Sequence, residues 1–435
     1  MTHLTASGTG DRSGESLFAT KYERALFTIL FFGFCTLFLG LDVKTPLVVL
    51  KPFDIVCLIC TPILILSAFM KGRVCYSTGF GFVLLFLAVN VLLAFPISPK
   101  NGVREAIQAT ELAMFSYVLI LYARQIDWRK MARFFVAISV LITLFNAYWH
   151  ISNGFYFGWK RLDEPKLLFS YAVPVIFSLM LCTNRQAGQL DYLVVAVIAM
   201  LLIVSGERKA QLAYLLHLFL MVGVAYFRFS VLAAFALITA PLAAALVLSD
   251  EYLTRQLLSV FDLQQLEAFT LTEMATGEVG ITQSNSQRIF AGQLTGDLVQ
   301  NNPFFGLGTN GYIVYVQDQF QWLPNFFLTG IHNEFQRILV ENGLVGLALY
   351  MAPWARSFFL IGVVYKKLGS RGAAIYAMFW ITFFIQCFFE GSGNEAFLAF
   401  VFVALLPELF LSAVSPTTAK AASLDTGFTV FKSVR

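Results

Sequence analysis

The chain has 435 residues, of which 58% are hydrophobic and only 13% are charged, and its formal net charge is +4. Soluble globular proteins carry roughly 25% charged residues, so this composition excludes an ordinary soluble domain and predicts an all-α integral membrane protein. The sequence has no block of basic residues of the kind that binds nucleic acid. Its six cysteines lie in or beside apolar segments, which predicts small packing residues rather than disulfides or a zinc site.

The predicted elements begin with residues 1–24, a polar segment that we expect to be a disordered cytoplasmic tail. A transmembrane helix needs roughly 20 apolar residues. This criterion predicts about twelve spans, nine of them in residues 25–248 and three in residues 337–413, followed by a cytoplasmic tail at 414–435. The approximate limits of the spans are 25–41, 53–70, 76–97, 105–123, 131–150, 167–183, 191–205, 210–226, 229–248, 338–365, 372–389 and 394–413.

The distribution of basic residues predicts the orientation of these spans. With the amino terminus in the cytoplasm, more than half of the 30 Lys and Arg residues fall in or beside short cytoplasmic loops and tails. An even number of spans then places both termini in the cytoplasm. The same orientation puts the longest polar connection, residues 249–336, on the opposite face.

Residues 249–336 are too polar to span the membrane but have a helical rhythm of their own. One amphipathic helix is predicted in the stretch YLTRQLLSVFDLQQLEAF. Ser286 is predicted to cap a second helix, which ends at NNPFFGLG. A connection this long between spans is usually functional. The predicted apolar face of the second helix consists of Ile289, Phe290, Leu294 and Leu298.

The densest group of polar residues is the stretch GIHNEFQRILVENG at 330–343. Asn333 is a natural N-cap for the helix that follows, and Arg337 and Glu341 are spaced to pair along it. His332 precedes the helix, where the positive end of the helix dipole favours the neutral imidazole. A neutral imidazole can accept a proton from an alcohol. The alternative interpretation is a helix cap with an interfacial ion pair.

Three arginines share the predicted face of His332. They are Arg161 in FGWKRLDEP, Arg208 in VSGERKAQL and Arg288 in SNSQRIFAGQL. Guanidinium groups bind phosphate in bidentate fashion and keep their charge, so a cleft with these residues suits a lipid-linked phosphate or pyrophosphate. Each arginine alone could instead be a solvated charge or a lipid headgroup anchor. The loops contain no Asp-x-Asp pair that would hold a divalent cation, and we expect no metal and no cofactor.

A transporter is the alternative from another functional class. Transporters carry polar residues inside their spans near the middle of the membrane. This chain has few such residues, and its polar content gathers at one face, which favours an enzyme. The candidates inside predicted spans are Asn90, His217, Arg356 and Gln386.

The carboxyl-terminal half resembles the O-antigen ligase and polymerase family. The resemblance lies in Arg288, in NNPFFGLGTNGY at 301–312 and in IHNEFQRILVENGLVGLALY at 331–350. The family typically shows an Arg, an Asn-Pro-x-x-Gly-x-Gly turn, a His-Asn or His-Ser pair and a Glu-x-Gly in this order. The stretch SGERKAQL, with Arg208, resembles an earlier Ser-x-x-Arg stretch of the family.

The resemblance implies a multi-span glycosyltransferase similar to the GT-C class, acting on the periplasmic side of the bacterial inner membrane. The implied donor is a glycan on undecaprenyl pyrophosphate, and for a ligase the acceptor is a sugar hydroxyl of lipid A–core. His332 and Arg288 are the implied catalytic residues, and Arg288, Arg208 and Arg161 would bind the pyrophosphate. Within the family, an O-antigen polymerase and a protein O-oligosaccharyltransferase are the alternatives.

Overall fold

The computed structural model describes the chain in separate stretches. Four predicted spans, at 131–150, 167–183, 210–226 and 229–248, lie outside the described residues apart from scattered positions, as does the first amphipathic helix of the 249–336 segment. The described stretches are 21–36, 43–44, 49–50, 52–71, 73–74, 77–122, 188–205, 283–324, 327–328, 330–389, 394–414 and 432–433, with scattered residues between 137 and 233.

Helices make up nearly all of the regular structure in the described residues. Two antiparallel pairs of two-residue strands accompany them. The helices are α1 Lys21–Thr36, α2 Pro52–Met70, α3 Thr78–Ala94, α4 Pro99–Tyr122, α5 Gln189–Ser205, α6 Gln283–Asn301, α7 Gly311–Gln319, α8 Glu334–Phe359, α9 Ile361–Phe389 and α10 Asn394–Val414. The strands are β1 Val43–Lys44 paired with β2 Val49–Leu50, and β3 Arg73–Val74 paired with β4 Lys432–Ser433.

Two described helical segments are long and apolar enough to cross a membrane, Pro52–Met70 and Glu334–Ser370. Shorter apolar helices occupy Thr78–Ala94, Gly372–Ile385 and Phe400–Phe410. The predicted architecture of helices with candidate membrane spans is therefore confirmed at this level. The number of spans and the side of the membrane on which the long connection lies stay predictions.

The start of α1 and the ends of α2 and α4 meet around the carboxylate of Glu23. This carboxylate lies 2.6 Å from the Lys71 ammonium, and it accepts hydrogen bonds from Ser67 at 2.7 Å and Tyr122 at 3.2 Å. The start of α3 lies at the same end, because the Phe80 ring contacts Tyr117 of α4 with their centroids 5.2 Å apart. The first four helices therefore alternate in direction.

The ends of α8 and α10 also meet the start of α3. The Arg356 guanidinium lies 2.7 Å from the Glu408 carboxylate, and it also donates to the carbonyl of Ala404 at 3.1 Å. Ser77, the N-cap of α3, donates to the same carboxylate at 2.5 Å. Arg356, which the sequence places inside a predicted span, is therefore held by a buried carboxylate rather than exposed to lipid.

Aromatic side chains form the core between α3, α8, α9 and α10. Tyr350 stacks on Phe400 with ring centroids 4.8 Å apart, and Phe86 contacts Phe400 at 4.7 Å. Phe335, in the first turn of α8, contacts Phe384 at 5.0 Å. Such aromatic pairs each stabilise a fold by roughly 0.5–1.5 kcal/mol beyond their area. This packing fixes α8, whose first turn carries the polar residues described below.

A second, smaller apolar cluster joins α6, α7 and the start of α8. Phe290 packs edge-on against Phe327 with centroids 5.6 Å apart, and Leu298 and Val340 are buried beside them. Helix α6 is the second helix predicted for the 249–336 segment, and its predicted apolar face is confirmed at Phe290 and Leu298. Its predicted start at Ser286 is wrong, because α6 begins at Gln283.

Candidate functional site

Asn333 begins helix α8 in the predicted way. Its backbone is extended, with φ −123°, and its side-chain oxygen accepts a hydrogen bond from the backbone N–H of Gln336 at 3.0 Å. Such a cap satisfies one of the N–H groups that have no partner in the first helical turn. The cap ends the preceding loop and leaves His332 immediately outside the helix, half-buried.

A buried ionic triad occupies the first two turns of α8. Arg337 donates to both oxygens of Glu334 at 2.7 and 2.6 Å and to Glu341 at 2.8 Å. The predicted pair of Arg337 and Glu341 is confirmed, but it is buried rather than interfacial, and Glu334 completes it. Burial, together with the nearby Glu341 carboxylate, raises the pKa of Tyr312, so this phenol stays neutral. The triad is structural, because each of its three charged groups is buried and hydrogen-bonded within the protein, with one guanidinium shared by two carboxylates.

Helix α8 is broken at Gly343, and the loop before α7 fills the break. In an unbroken helix, Leu344 and Val345 would donate to the carbonyls of Val340 and Glu341. Here Leu344 N–H donates to Pro303 O at 2.8 Å and Val345 N–H to Phe304 O at 3.1 Å. The two carbonyls accept instead from the backbone N–H groups of Leu307, at 2.9 Å, and Gly308, at 2.8 Å. We call these four hydrogen bonds the backbone clasp.

Two glycines make the backbone clasp possible. Gly343 has φ 66° and ψ −165°, and a Cβ added there would lie 2.3 Å from the carbonyl carbon and oxygen of Phe304. Gly306 has φ 64°, and its Cβ would lie 2.4 Å from the carbonyl oxygen of Val340. Only glycine adopts these left-handed conformations at low cost. The Asn-Pro-x-x-Gly-x-Gly and Glu-x-Gly stretches are therefore the two halves of one structural unit.

Three buried polar side chains connect the backbone clasp to α3. Thr309 donates to the carbonyl of Asn90 at 2.9 Å, and the Asn342 amide donates to Thr309 at 3.1 Å and to the Asn90 side chain at 3.2 Å. On the other side, the Asn310 amide donates to Glu105 of α4 at 2.9 Å. Asn90, a candidate for a transport pathway, thus has a structural role in this fold.

His332 lies against helix α6. Its Nε2 is 2.8 Å from Oε1 of Gln287, a residue 45 positions earlier in the chain. Gln287 is buried, and its Nε2 donates to the carbonyl of Gly330 at 3.4 Å. One turn further along, Gln336 of α8 donates to Thr295 of α6 at 2.6 Å. The start of α8 is therefore fixed against the first half of α6 and its middle.

Arg288 follows Gln287 directly and is exposed to solvent. Successive residues of a helix point about 100° apart. Helix α6 therefore contacts His332 through Gln287, and the Arg288 side chain projects from the neighbouring part of its surface. Gln287 was not among the predicted site residues, although its spacing from Phe290, Leu294 and Leu298 continues the predicted buried face. The other predicted arginines, Arg161 and Arg208, lie outside the described residues.

The Asn90 cluster and the backbone clasp lie at the end of the helices opposite to Ser77 and Arg356. Asn90 and Asn342 lie some 20 Å along α3 and α8 from Ser77 and Arg356, at about 1.5 Å per residue. Within the described residues, no group of three or more His, Cys, Asp or Glu side chains is arranged to hold a metal ion. What this end offers chemically is an imidazole fixed by a neutral amide, with a guanidinium one residue further along.

Comparison with known proteins bears on this region directly. Residues 193–351 match the model of the O-antigen ligase family, and the match includes Arg208, Arg288, the backbone clasp and His332. No curated protein matches the chain. Enzymes of this family are membrane glycosyltransferase-like proteins of lipopolysaccharide biosynthesis. Residues 193–351 are therefore similar to the O-antigen ligase family, in a chain that carries candidate membrane helices.

Proposed function

We propose that the protein is an O-antigen ligase that transfers a glycan from undecaprenyl pyrophosphate to a sugar hydroxyl of lipid A–core. The reaction takes place at the periplasmic face of the inner membrane. The observation that carries the proposal is the 2.8 Å contact between His332 and Gln287. This contact brings His332, which can act as a general base, next to the helix turn that carries Arg288. The two residues come from distant parts of the sequence.

The proposed reaction is a displacement at the anomeric carbon. The acceptor oxygen forms a bond to this carbon while the bond from the carbon to the pyrophosphate oxygen breaks, which inverts the anomeric configuration. His332 takes the proton of the acceptor hydroxyl. Arg288, together with Arg208 and Arg161, compensates the negative charge on the leaving pyrophosphate. Guanidinium groups supply this charge permanently, so the reaction proceeds without a divalent cation.

The distribution of lysines supports a periplasmic location for the site. Lys71 pairs with Glu23 at one end of the helices, and Lys366 and Lys367 follow the end of α8 in the chain, while Lys100 and Arg104 begin α4 at the other end. Basic residues near the ends of spans favour the cytoplasmic side. His332 lies at the opposite end of α8, and it therefore faces the periplasm in the proposed orientation.

An O-antigen polymerase is the second candidate, because it would use the same donor chemistry with a different acceptor. A deletion strain distinguishes the two through the banding of its lipopolysaccharide. A ligase is expected to leave lipid A–core without any O-chain, while lipid-linked polymer accumulates. A single capped repeat unit on lipid A–core would identify a polymerase, and normal banding would contradict both assignments.

Complementation of this strain tests the two described site residues. His332→Ala should restore no O-chain although the protein inserts normally, since the loss of a general base costs roughly 10²–10⁴-fold in rate. Arg288→Ala should weaken binding of undecaprenyl pyrophosphate, measured with the purified protein. Near-normal ligation by His332→Ala would remove the role assigned to the imidazole, and wild-type donor affinity in Arg288→Ala would remove the role assigned to the guanidinium. Treatment with EDTA should leave the transfer rate unchanged.

A further inference from the structure

We propose that Gln287 is a positioning residue that selects the tautomer of His332 and so makes Nδ1 the atom that accepts the proton of the acceptor hydroxyl. The proposal rests on the function proposed above. Gln287 itself touches neither substrate nor reacting atoms. It acts through the imidazole that it holds.

Two of the contacts of the Gln287 amide indicate its orientation. The side-chain nitrogen lies 3.4 Å from the carbonyl oxygen of Gly330, and the side-chain oxygen lies 2.8 Å from Nε2 of His332. If the nitrogen and oxygen of the Gln287 amide exchanged places, the amide oxygen would face the carbonyl oxygen of Gly330, and neither atom could donate a hydrogen bond. The amide oxygen therefore faces the imidazole, and only a protonated Nε2 can donate to it.

A neutral imidazole carries one proton, so protonation of Nε2 leaves the lone pair on Nδ1. In serine protease triads, a hydrogen-bonded carboxylate holds the catalytic histidine in one tautomer in the same way. The difference here is that the partner is a neutral amide. It fixes the tautomer without adding the negative charge that would stabilise the imidazolium.

Burial and helix packing keep the Gln287 amide in place. Gln287 is only 7% exposed, and α6 is also held to α8 by the hydrogen bond between Thr295, two turns beyond Gln287, and Gln336, one turn beyond His332. The charged groups closest in the chain to this pair are Arg288 on α6 and Glu334 on α8. Both remain unchanged in the variants described below.

The first test compares two substitutions of Gln287 in the full-length enzyme, assayed with lipid-linked glycan and lipid A–core. Gln287→Leu keeps the size of the side chain but removes the acceptor. Its kcat should fall roughly 10- to 100-fold, part of the ~10²–10⁴-fold contribution of a general base, with little change in KM for the donor. Gln287→Glu keeps an acceptor and should restore kcat to within about threefold of the wild type.

The pH profile separates positioning from a purely structural role. In Gln287→Glu the added carboxylate stabilises the imidazolium, so His332 becomes protonated at a higher pH. The acid limb of the kcat profile should therefore move to higher pH. The matched control is Gln336→Leu, which removes the hydrogen bonds to Thr295 and to the Ala291 carbonyl between the same two helices but leaves both partners of the contact between Gln287 and His332 unchanged. It should lower stability and leave the acid limb in place.

A spectroscopic test is independent of any glycan substrate. The chain has four histidines, and nitrogen-15 labelling of all of them, compared with a His332→Ala sample, identifies the signals of His332. The wild type should show a protonated Nε2, and Gln287→Leu a mixture of tautomers. An Nδ1-protonated His332 in the wild type, or an unshifted acid limb in Gln287→Glu, would overturn the proposal. Failure of transfer by the wild type would instead overturn the proposed function while the tautomer remained measurable.

Discussion

The polar residues at the start of α8 fall into two groups that differ in burial. Glu334, Arg337 and Glu341 are buried and hold one another through charge-assisted hydrogen bonds. His332 is half-buried, stands just before the helix and contacts α6 instead. The first group fixes the helix, and the second provides a group that can exchange a proton.

The buried triad predicts a large loss of stability when its cation is removed. Arg337→Ala leaves two carboxylates buried without a counter-charge, which should destabilise the protein by roughly 3–5 kcal/mol. Unfolding in detergent micelles measures the change. Adding Glu334→Gln and Glu341→Gln to this variant should recover part of the loss, because the unpaired charges disappear.

Arg288→Ala is the matched control for that measurement. Arg288 is exposed, and substitutions at such positions usually change the free energy of unfolding by less than about 0.5 kcal/mol. Equal destabilisation by Arg288→Ala and Arg337→Ala would contradict the assignment of a structural role to one arginine and a binding role to the other.

At the scale of the element, the principal feature is the break in α8. The helix gives up two of its own hydrogen bonds at Gly343, and the loop between α6 and α7 replaces both. The N–H groups of Leu344 and Val345 and the carbonyls of Val340 and Glu341 all keep a hydrogen-bond partner in this exchange, which matters most where water is scarce. The loop that leads from Arg288 towards His332 is therefore anchored to the helix that follows His332.

The backbone clasp predicts a difference between two glycines with similar backbone conformations. Gly343→Ala suffers strain of roughly 1–3 kcal/mol from its left-handed conformation and also a collision with Phe304. Gly369→Ala has the same kind of strain, with φ 73°, but its Cβ meets no atom within 4 Å. Gly343→Ala should therefore be clearly less stable than Gly369→Ala in thermal unfolding. Equal melting temperatures would contradict the proposed importance of the close contact.

The sequence predicts helices well but not their interruptions. The hydropathy of the sequence predicts one continuous span at 338–365. Nothing in the hydropathy of this span indicates the break at Gly343. The reason is that the partners of the break are main-chain atoms of residues 303–308, which have no side-chain signature. Gln287 was missed for a related reason: its role depends on a contact with a residue 45 positions away. The cap at Asn333 and the pair of Arg337 and Glu341 were predictable, because both are local.

At the scale of the whole molecule, polar clusters lie at both ends of an aromatic core. Ser77, Arg356 and Glu408 lie at one end, and the Asn90 cluster and the backbone clasp lie at the other. Alternating helix directions produce this arrangement. Two polar ends separated by an apolar core are what a protein that crosses a bilayer requires, and the basic residues in the sequence predict which end faces the cytoplasm.

Cysteine labelling tests this orientation. Asp318→Cys, at an exposed position of α7, should react with a membrane-impermeant maleimide added to intact spheroplasts. Lys367→Cys, exposed just beyond the end of α8, should react only after the membrane is permeabilised. The described native cysteines Cys57, Cys60 and Cys387 are buried, and the unsubstituted protein gives the background. Labelling with the opposite pattern would invert the proposed orientation and place His332 in the cytoplasm.

The main-chain character of the backbone clasp has a practical consequence. The side chains of Phe304 and Phe305 take no part in its hydrogen bonds, and both are more than half exposed. A fluorophore or a photo-crosslinker attached at Phe305 would thus sit one position before Gly306, on a segment that the clasp holds rigid. Such a probe would report from the break in α8 without loosening the backbone clasp.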